Sequence, residues 1–211
     1  GVLFRVVGEG HAATSIHALR RIVHRLVSAP ATQLSVHRFH TDLKSQGVAV
    51  GKDTLYAYLE QSEDAWLAFR GPVWTESERV RAVNPPKTYV VDPGLAYAWS
   101  ARPQPGHLLE NAVYLELRRR GGDIAWMRTK GGFELDFVVT QESGISLIQV
   151  CYELGDSETR DRELRALDEA MHETGIREAT VVTRLEREEV RTSAGTVHVV
   201  PAWEWLLRFS L

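Results

Sequence analysis

A single cysteine, Cys151, stands in 211 residues. A lone thiol excludes an internal disulfide and any cysteine-rich zinc site. Long apolar runs are also missing. Nothing approaches the roughly eighteen consecutive apolar residues of a membrane span, so no membrane contact is expected. The opening Gly1-Val2-Leu3-Phe4-Arg5 lacks the charged region, apolar run and cleavage site of a secretion signal, and a cytoplasmic chain is the expectation. Positive charge is not in excess, because 25 Lys+Arg face 28 Asp+Glu for a net −3. That balance excludes a strongly basic nucleic-acid coat and leaves room for a local basic groove. A phosphate-binding loop is missing as well. Gly51-Lys52 precedes a helix, but Gln46 stands where such a loop needs its first glycine and Asp53 where it needs Ser or Thr. No Gly-x-Gly-x-x-Gly occurs either, so no ATP binding is expected of this chain.

What is present divides in two. Residues 1–90 hold eleven Lys/Arg against eight Asp/Glu, and residues 91–211 hold fourteen against twenty. The polar, proline-bearing stretch Val83-Asn84-Pro85-Pro86-Lys87 is the expected joint between two domains, 1–90 and 91–211. In the first, Ile16, Leu19, Ile22, Val23 and Leu26 recur at three and four residues, which predicts a helix capped by Ser15 and stopped before Pro30. A second helix is expected from Leu34 to Gly47 and a third from Gly51. Ala65 to Phe69 and Lys87 to Val91 have strand character. Three helices and a two-stranded ribbon are the order of a winged helix, whose third helix meets DNA in helix-turn-helix proteins. On that reading Lys44, Lys52, Thr54 and the ribbon arginines Arg70, Arg79 and Arg81 touch duplex DNA weakly. A winged helix used for protein contact is the alternative. Five of the eight histidines fall in the first forty residues, among them His11, His37 and His40, without the spacing of a zinc site.

From residue 108 the pattern becomes that of an α/β unit. Helices are expected from Leu108 to Arg120 and from Asp156 to Glu173, and a short one from Pro201 with the proline at its first position. Strands are expected at Ile124–Met127, Phe133–Val139, Ile145–Cys151, Glu178–Thr183 and Val197–Val200. Strict alternation puts Phe133, Leu135, Phe137 and Val139 on one face, and Glu134, Asp136 and Val138 on the other. Asp136 and Gln149, on neighbouring strands, then point the same way, and Glu110 could approach them. An acid on one strand, with a second ligand and a lysine two positions apart on the next, is magnesium-nuclease geometry. Here the second strand reads Gln149-Val150-Cys151. Glutamine is a neutral, weak ligand for magnesium, and cysteine carries no ammonium. Lys130, reaching in from the neighbouring strand, is the candidate replacement base. Blander roles stand beside these. Glu134 can pair with Arg128 or Lys130, Asp92 can bond backbone amides in its turn, and Cys151 reads as a plain buried thiol. Trp203 and Trp205 fall on different sides of the last helix, which leaves one for a partner or a second copy.

Several segments together resemble a large prokaryotic AAA-like ATPase family whose members carry a C-terminal domain called DUF4143. They are Pro86-Lys87-Thr88-Tyr89-Val90-Val91-Asp92-Pro93-Gly94-Leu95, Leu108-Leu109-Glu110-Asn111-Ala112-Val113, Trp126-Met127-Arg128-Thr129-Lys130, Glu134-Leu135-Asp136-Phe137-Val138, Ile148-Gln149-Val150 and Val200-Pro201-Ala202-Trp203-Glu204-Trp205-Leu206. The resemblance implies a restriction-endonuclease-like fold after the winged helix, hence an α/β (α+β) chain. It also implies a partner, the ATPase module that usually precedes this region. Members usually read Glu-Val-Lys where this chain reads Gln149-Val150-Cys151, so the nuclease-like site is degenerate. The reading is a non-catalytic interaction or DNA-binding module. The alternative is a magnesium-dependent nuclease using Glu110 and Asp136 on the metal with Gln149 and Lys130.

Overall fold

The structure, a computed structural model, describes residues 16–207. The expectations for His11 and the Ser15 cap lie outside them. The chain is α+β and divides into two compact units. Among the described residues, 16–71 and 85–103 form the first, and 72–84 and 104–207 form the second. The backbone passes between units at Gly71–Pro72, Asn84–Pro85 and Pro103–Gln104, so the expected joint at Val83–Lys87 holds one of three crossings.

In the first unit, helix α1 (Ile16–Ser28) buries Leu19, Ile22, Val23 and Leu26 along one stripe. Strand β1 (Thr32–Gln33) follows. Helix α2 (Val36–Ser45) is capped by Ser35, whose hydroxyl accepts the Arg38 amide, and helix α3 (Lys52–Asp64) starts after Gly51. Strand β2 (Ala68–Gly71) pairs antiparallel with β3 (Lys87–Val90), and β1 pairs with the other edge of β3, giving the order β1-β3-β2. Helix α5 (Pro93–Trp99) packs on α1, with Asp92 at its cap accepting the Gly94 amide at 2.7 Å.

Between β2 and β3 the second unit receives residues 72–84, which carry helix α4 (Glu78–Val83). Arg79 and Arg81 therefore sit on a helix rather than on a ribbon. The six strands of this unit are β4 (Asp123–Arg128), β5 (Glu134–Gln141), β6 (Gly144–Val150), β7 (Glu178–Thr183), β8 (Glu188–Arg191) and β9 (Thr196–Pro201). They lie in the order β4-β5-β6-β7-β9-β8. The first three form an antiparallel meander, β7 and β9 continue it in parallel to β6, and β8 folds back antiparallel. Helix α7 (Ser157–Thr174) connects β6 to β7 and covers one face with Leu167, Ala170 and Met171. Helix α6 (Pro105–Arg120) and helix α8 (Ala202–Leu207) cover the other. Pro201 ends β9 opposite Thr183 and is not the first residue of α8, whose helical residues begin at Ala202.

Candidate functional site

The ladder between β5 and β6 runs from Gln141↔Gly144 to Phe137↔Ile148. Beyond it, side chains take over from backbone. The Asp136 amide donates to Gln149 Oε1 at 3.0 Å, and the Val150 amide donates to Asp136 Oδ2 at 3.0 Å. Gln149 Nε2 then donates to Glu163 Oε2 on α7 at 2.6 Å. Arg162 closes the chain, its Nη2 donating to Glu163 Oε1 at 2.7 Å. The partners fix the amide orientation of Gln149, because its oxygen must face an N–H and its nitrogen a carboxylate. Relative exposures of 7% for Asp136, 5% for Gln149 and 8% for Glu163 leave these groups little water to fall back on.

Strict alternation fails at this point. Ala125 pairs with Val138 and Met127 with Leu135, so Asp136 and Phe137 together stand opposite Trp126. The extra residue is a β-bulge. Leu135 and Val138 consequently share the core beneath α7, while the Phe137 ring lies 6.3 Å from that of Tyr114 on α6. Asp136 stands in the bulge, where the ladder opens.

Other expected site residues are placed as follows. Glu110 is buried in the second turn of α6, which begins at Pro105. Lys130 is exposed at the β4–β5 turn, where its amide donates to Glu173 at 2.7 Å. Glu173 lies ten residues beyond Glu163 on α7, about 15 Å along the axis, so Lys130 is anchored away from the Asp136–Gln149–Glu163 chain. Glu134 pairs with Arg128 at 3.2 Å. Cys151 is buried, and its thiol donates to the Glu153 carbonyl at 3.1 Å. Burial first, and the Glu163 charge second, push that thiol up to about 11. Glu163 was not singled out from sequence. Its signal is the spacing 163, 166, 167, 170 and 171, which puts a glutamate at the head of the buried stripe of α7.

As arranged, these groups do not fit magnesium. One Asp136 oxygen and the Gln149 oxygen are held by backbone amides, and a Gln149 N–H fronts Glu163. Among the described residues, no group of three or more His, Cys, Asp or Glu is placed to hold a metal ion. A cleft of about 1080 Å³ lies at the other end of the same sheet, lined by Arg119, Arg120, Thr140, Ser146, Thr180 and Trp205. Neither Asp136 nor Gln149 reaches it.

In the first unit Lys44 is exposed near the end of α2, and Thr54 is half-buried in the first turn of α3. Lys52 Nζ lies 2.9 Å from His37 Nδ1, and Arg70 pairs with Glu63. In the second unit Arg79 is exposed, and Arg81 pairs with Glu78 at 3.0 Å. Among the described residues no helix is long and apolar enough to cross a membrane.

Residues 105–205 match the family described as "Domain of unknown function (DUF4143)". This α+β stretch is a DUF4143 domain, as the quoted motifs suggested. The chain is similar to an uncharacterised protein of Methanocaldococcus jannaschii, at 28% identity over 219 residues, 99% of this chain and 48% of that protein. It is also similar to an uncharacterised protein of Haemophilus influenzae, at 22% identity over 196 residues, 91% of this chain and 46% of that one. The chain thus spans about half the length of the curated relatives it matches. No solved structure matches it.

Proposed function

We propose that the chain is a non-catalytic interaction module, a winged helix joined to a restriction-endonuclease-like scaffold with a degenerate site. The order α1-β1-α2-α3-β2-β3, with β1-β3-β2 in the sheet, supports the winged helix. A helix, a three-stranded meander and a helical crossover to a parallel strand support the nuclease-like scaffold. The observation that carries the non-catalytic reading is Gln149, whose amide is bonded at both ends, to the Asp136 amide and to Glu163. A metal-dependent nuclease needs carboxylates free to gather the ion and a group to position water. Cys151, a neutral thiol that donates to the Glu153 carbonyl, supplies neither.

The test is cleavage of single- and double-stranded DNA and RNA with magnesium or manganese, beside Asp136→Ala. A flat result is expected for both proteins. Activity that Asp136→Ala abolishes overturns the proposal and promotes the nuclease. Contact with protein is favoured over contact with DNA because Arg70 and Arg81 are ion-paired. Weak duplex binding through Lys44, Lys52 and Thr54 would show as affinity that falls steeply with salt. An ATPase partner belongs to the same reading. Without a phosphate loop, the chain alone is expected to give no heat on titration with ATP.

A further inference from the structure

Strand β4 is one edge of the six-stranded sheet, and the segment 72–84 meets its outer side. The Trp126 amide donates to the Pro72 carbonyl at 2.9 Å, and the Trp74 amide donates to the Trp126 carbonyl at 2.6 Å. Among the described residues this parallel bridge, with Val73 beside Trp126, is an isolated one. Pro72 has no N–H with which to extend it to the Ile124 carbonyl. Val73 is buried, whereas helix α4, farther along the segment, buries none of its residues, and Val83 is 72% exposed. A six-residue helix without a buried face is not held by packing. The segment is therefore fastened chiefly by Val73 and two backbone bonds. On the inner side β5 holds β4 along its length. The backbone groups of Ala125, Met127 and Thr129 alternate with those of Trp126 and turn toward β5, the Thr129 amide donating to the Phe133 carbonyl at 2.8 Å.

We propose that residues 72–84 are a displaceable strap, and that the β4 edge at Trp126 docks an extended segment of a partner polypeptide in their place. An edge strand offers N–H and C=O groups to any strand that can pair with it, and the strap shows which kind this edge takes. It runs parallel to β4, buries a β-branched apolar residue beside Trp126, and carries at the next residue an N–H for the Trp126 carbonyl. Being tethered, the strap competes at high effective concentration. A partner displaces it by pairing farther along β4 than the strap does. A segment with an N–H where the strap has Pro72 also reaches the Ile124 carbonyl, which gives it that advantage. The inference rests on the interaction reading above and names the kind of partner.

Two measurements test it. In amide exchange of the wild-type chain, Trp126 is protected at least about tenfold less than Ala125 and Met127, because opening the strap leaves the β4–β5 ladder closed. The second is fluorescence anisotropy with a labelled peptide of residues 70–77 carrying Pro72→Thr. The peptide binds full chains whose strap is unfastened, by Trp74→Pro or by the milder Val73→Ser, at least about tenfold more tightly than it binds wild type. The same peptide with Trp74→Pro lacks the N–H for Trp126 and does not bind. Equal protection of Trp126 and its two neighbours overturns the proposal, and that result needs no variant to fold. Failure of the peptide to bind the unfastened chains, equal binding by those chains and wild type, or binding of the proline control overturns it too. Nuclease activity that Asp136→Ala abolishes would defeat the non-catalytic reading alone and leave the peptide result standing.

Discussion

Gln149 and Asp136 hold each other's strands where the ladder between them has ended: the glutamine oxygen takes the Asp136 amide, and the Asp136 carboxylate takes the Val150 amide, each at 3.0 Å. Glutamine is suited to this place in a way glutamate is not, because its nitrogen must also donate to Glu163 at 2.6 Å. Gln149→Glu removes that donor and sets two carboxylates together in a buried site. We expect it to destabilise the fold at pH 7 by about 1–3 kcal/mol. The loss should shrink on acidification, as one of the two acids protonates and can again donate a hydrogen bond. Urea denaturation at pH 7 and pH 5 checks this. Wild-type stability at pH 7 would show that the amide bridge is dispensable.

Cys151 should be slow to react. The thiolate is the nucleophile, and burial holds this thiol up at about 11, so little thiolate exists at neutral pH. A chromogenic disulfide reagent at pH 8 is expected to modify the native protein slowly and the urea-unfolded protein fast. Equal rates in both states would place the thiol in the open.

The long helices were legible because their apolar residues repeat at helical spacing, as Ile22 and Leu26 do in α1 and Leu167 and Met171 in α7. Strands β5, β6, β7 and β9 were legible through valine, isoleucine and phenylalanine runs bounded by glycine. Strand β8, Glu188–Arg191, was not, since Glu-Glu-Val-Arg offers a single apolar residue, Val190, too little for a period-two signal, and the strand is held by pairing with β9 and by Val190 against the core. Strand β1 has two residues and exists through its bonds to β3. The bulge at Asp136–Phe137 carries no glycine or proline to announce it, so strict alternation misassigned Phe137 relative to Leu135. Of the candidate site, Asp136 and Gln149 were visible as neighbours. Glu163 was hidden among the charges of α7, because only the turn-by-turn spacing separates a buried glutamate from its exposed neighbours.

Arg120 ties the end of α6 to α8. Its guanidinium lies 4.1 Å above the Trp205 ring, donates to the Trp205 carbonyl at 2.6 Å and pairs with Glu116 at 2.7 Å. Arg120→Met keeps most of the apolar stem and loses all three interactions, so a cost of about 1–2 kcal/mol is expected. Arg120→Lys should recover only part of it, because an ammonium cannot stack flat and donate in two directions at once. Thermal melts of the two variants decide. Indistinguishable midpoints for wild type and Arg120→Met would mean that packing alone joins the two helices.

Acid should release the β8–β9 turn from α7. Asp168 Oδ2 accepts the Ser193 hydroxyl at 2.7 Å, and its Oδ1 accepts the Ala194 amide at 2.8 Å. Burial alone would raise the Asp168 carboxyl, but the bonds from Ser193, Thr192 and Ala194 outweigh it and hold the group below its ordinary 3.8. Glu186 and Glu188 are likewise held below their ordinary 4.5: burial of Glu186 is outweighed by the Leu154 amide, and Glu188 is bonded by Arg160. A carboxyl whose folded value is depressed takes up protons less readily when folded than when unfolded. Its stabilisation is therefore full above the unfolded value and is lost as pH falls through the folded one. The urea midpoint should hold between pH 7 and pH 5 and drop below about pH 4.5. Asp168→Asn, which turns one acceptor into a donor facing Ser193, should lower the midpoint at pH 7 and flatten the acid decline. Amide exchange at Ala194 should quicken in the same variant. A decline equally steep in Asp168→Asn would assign the acid sensitivity to the other carboxyls.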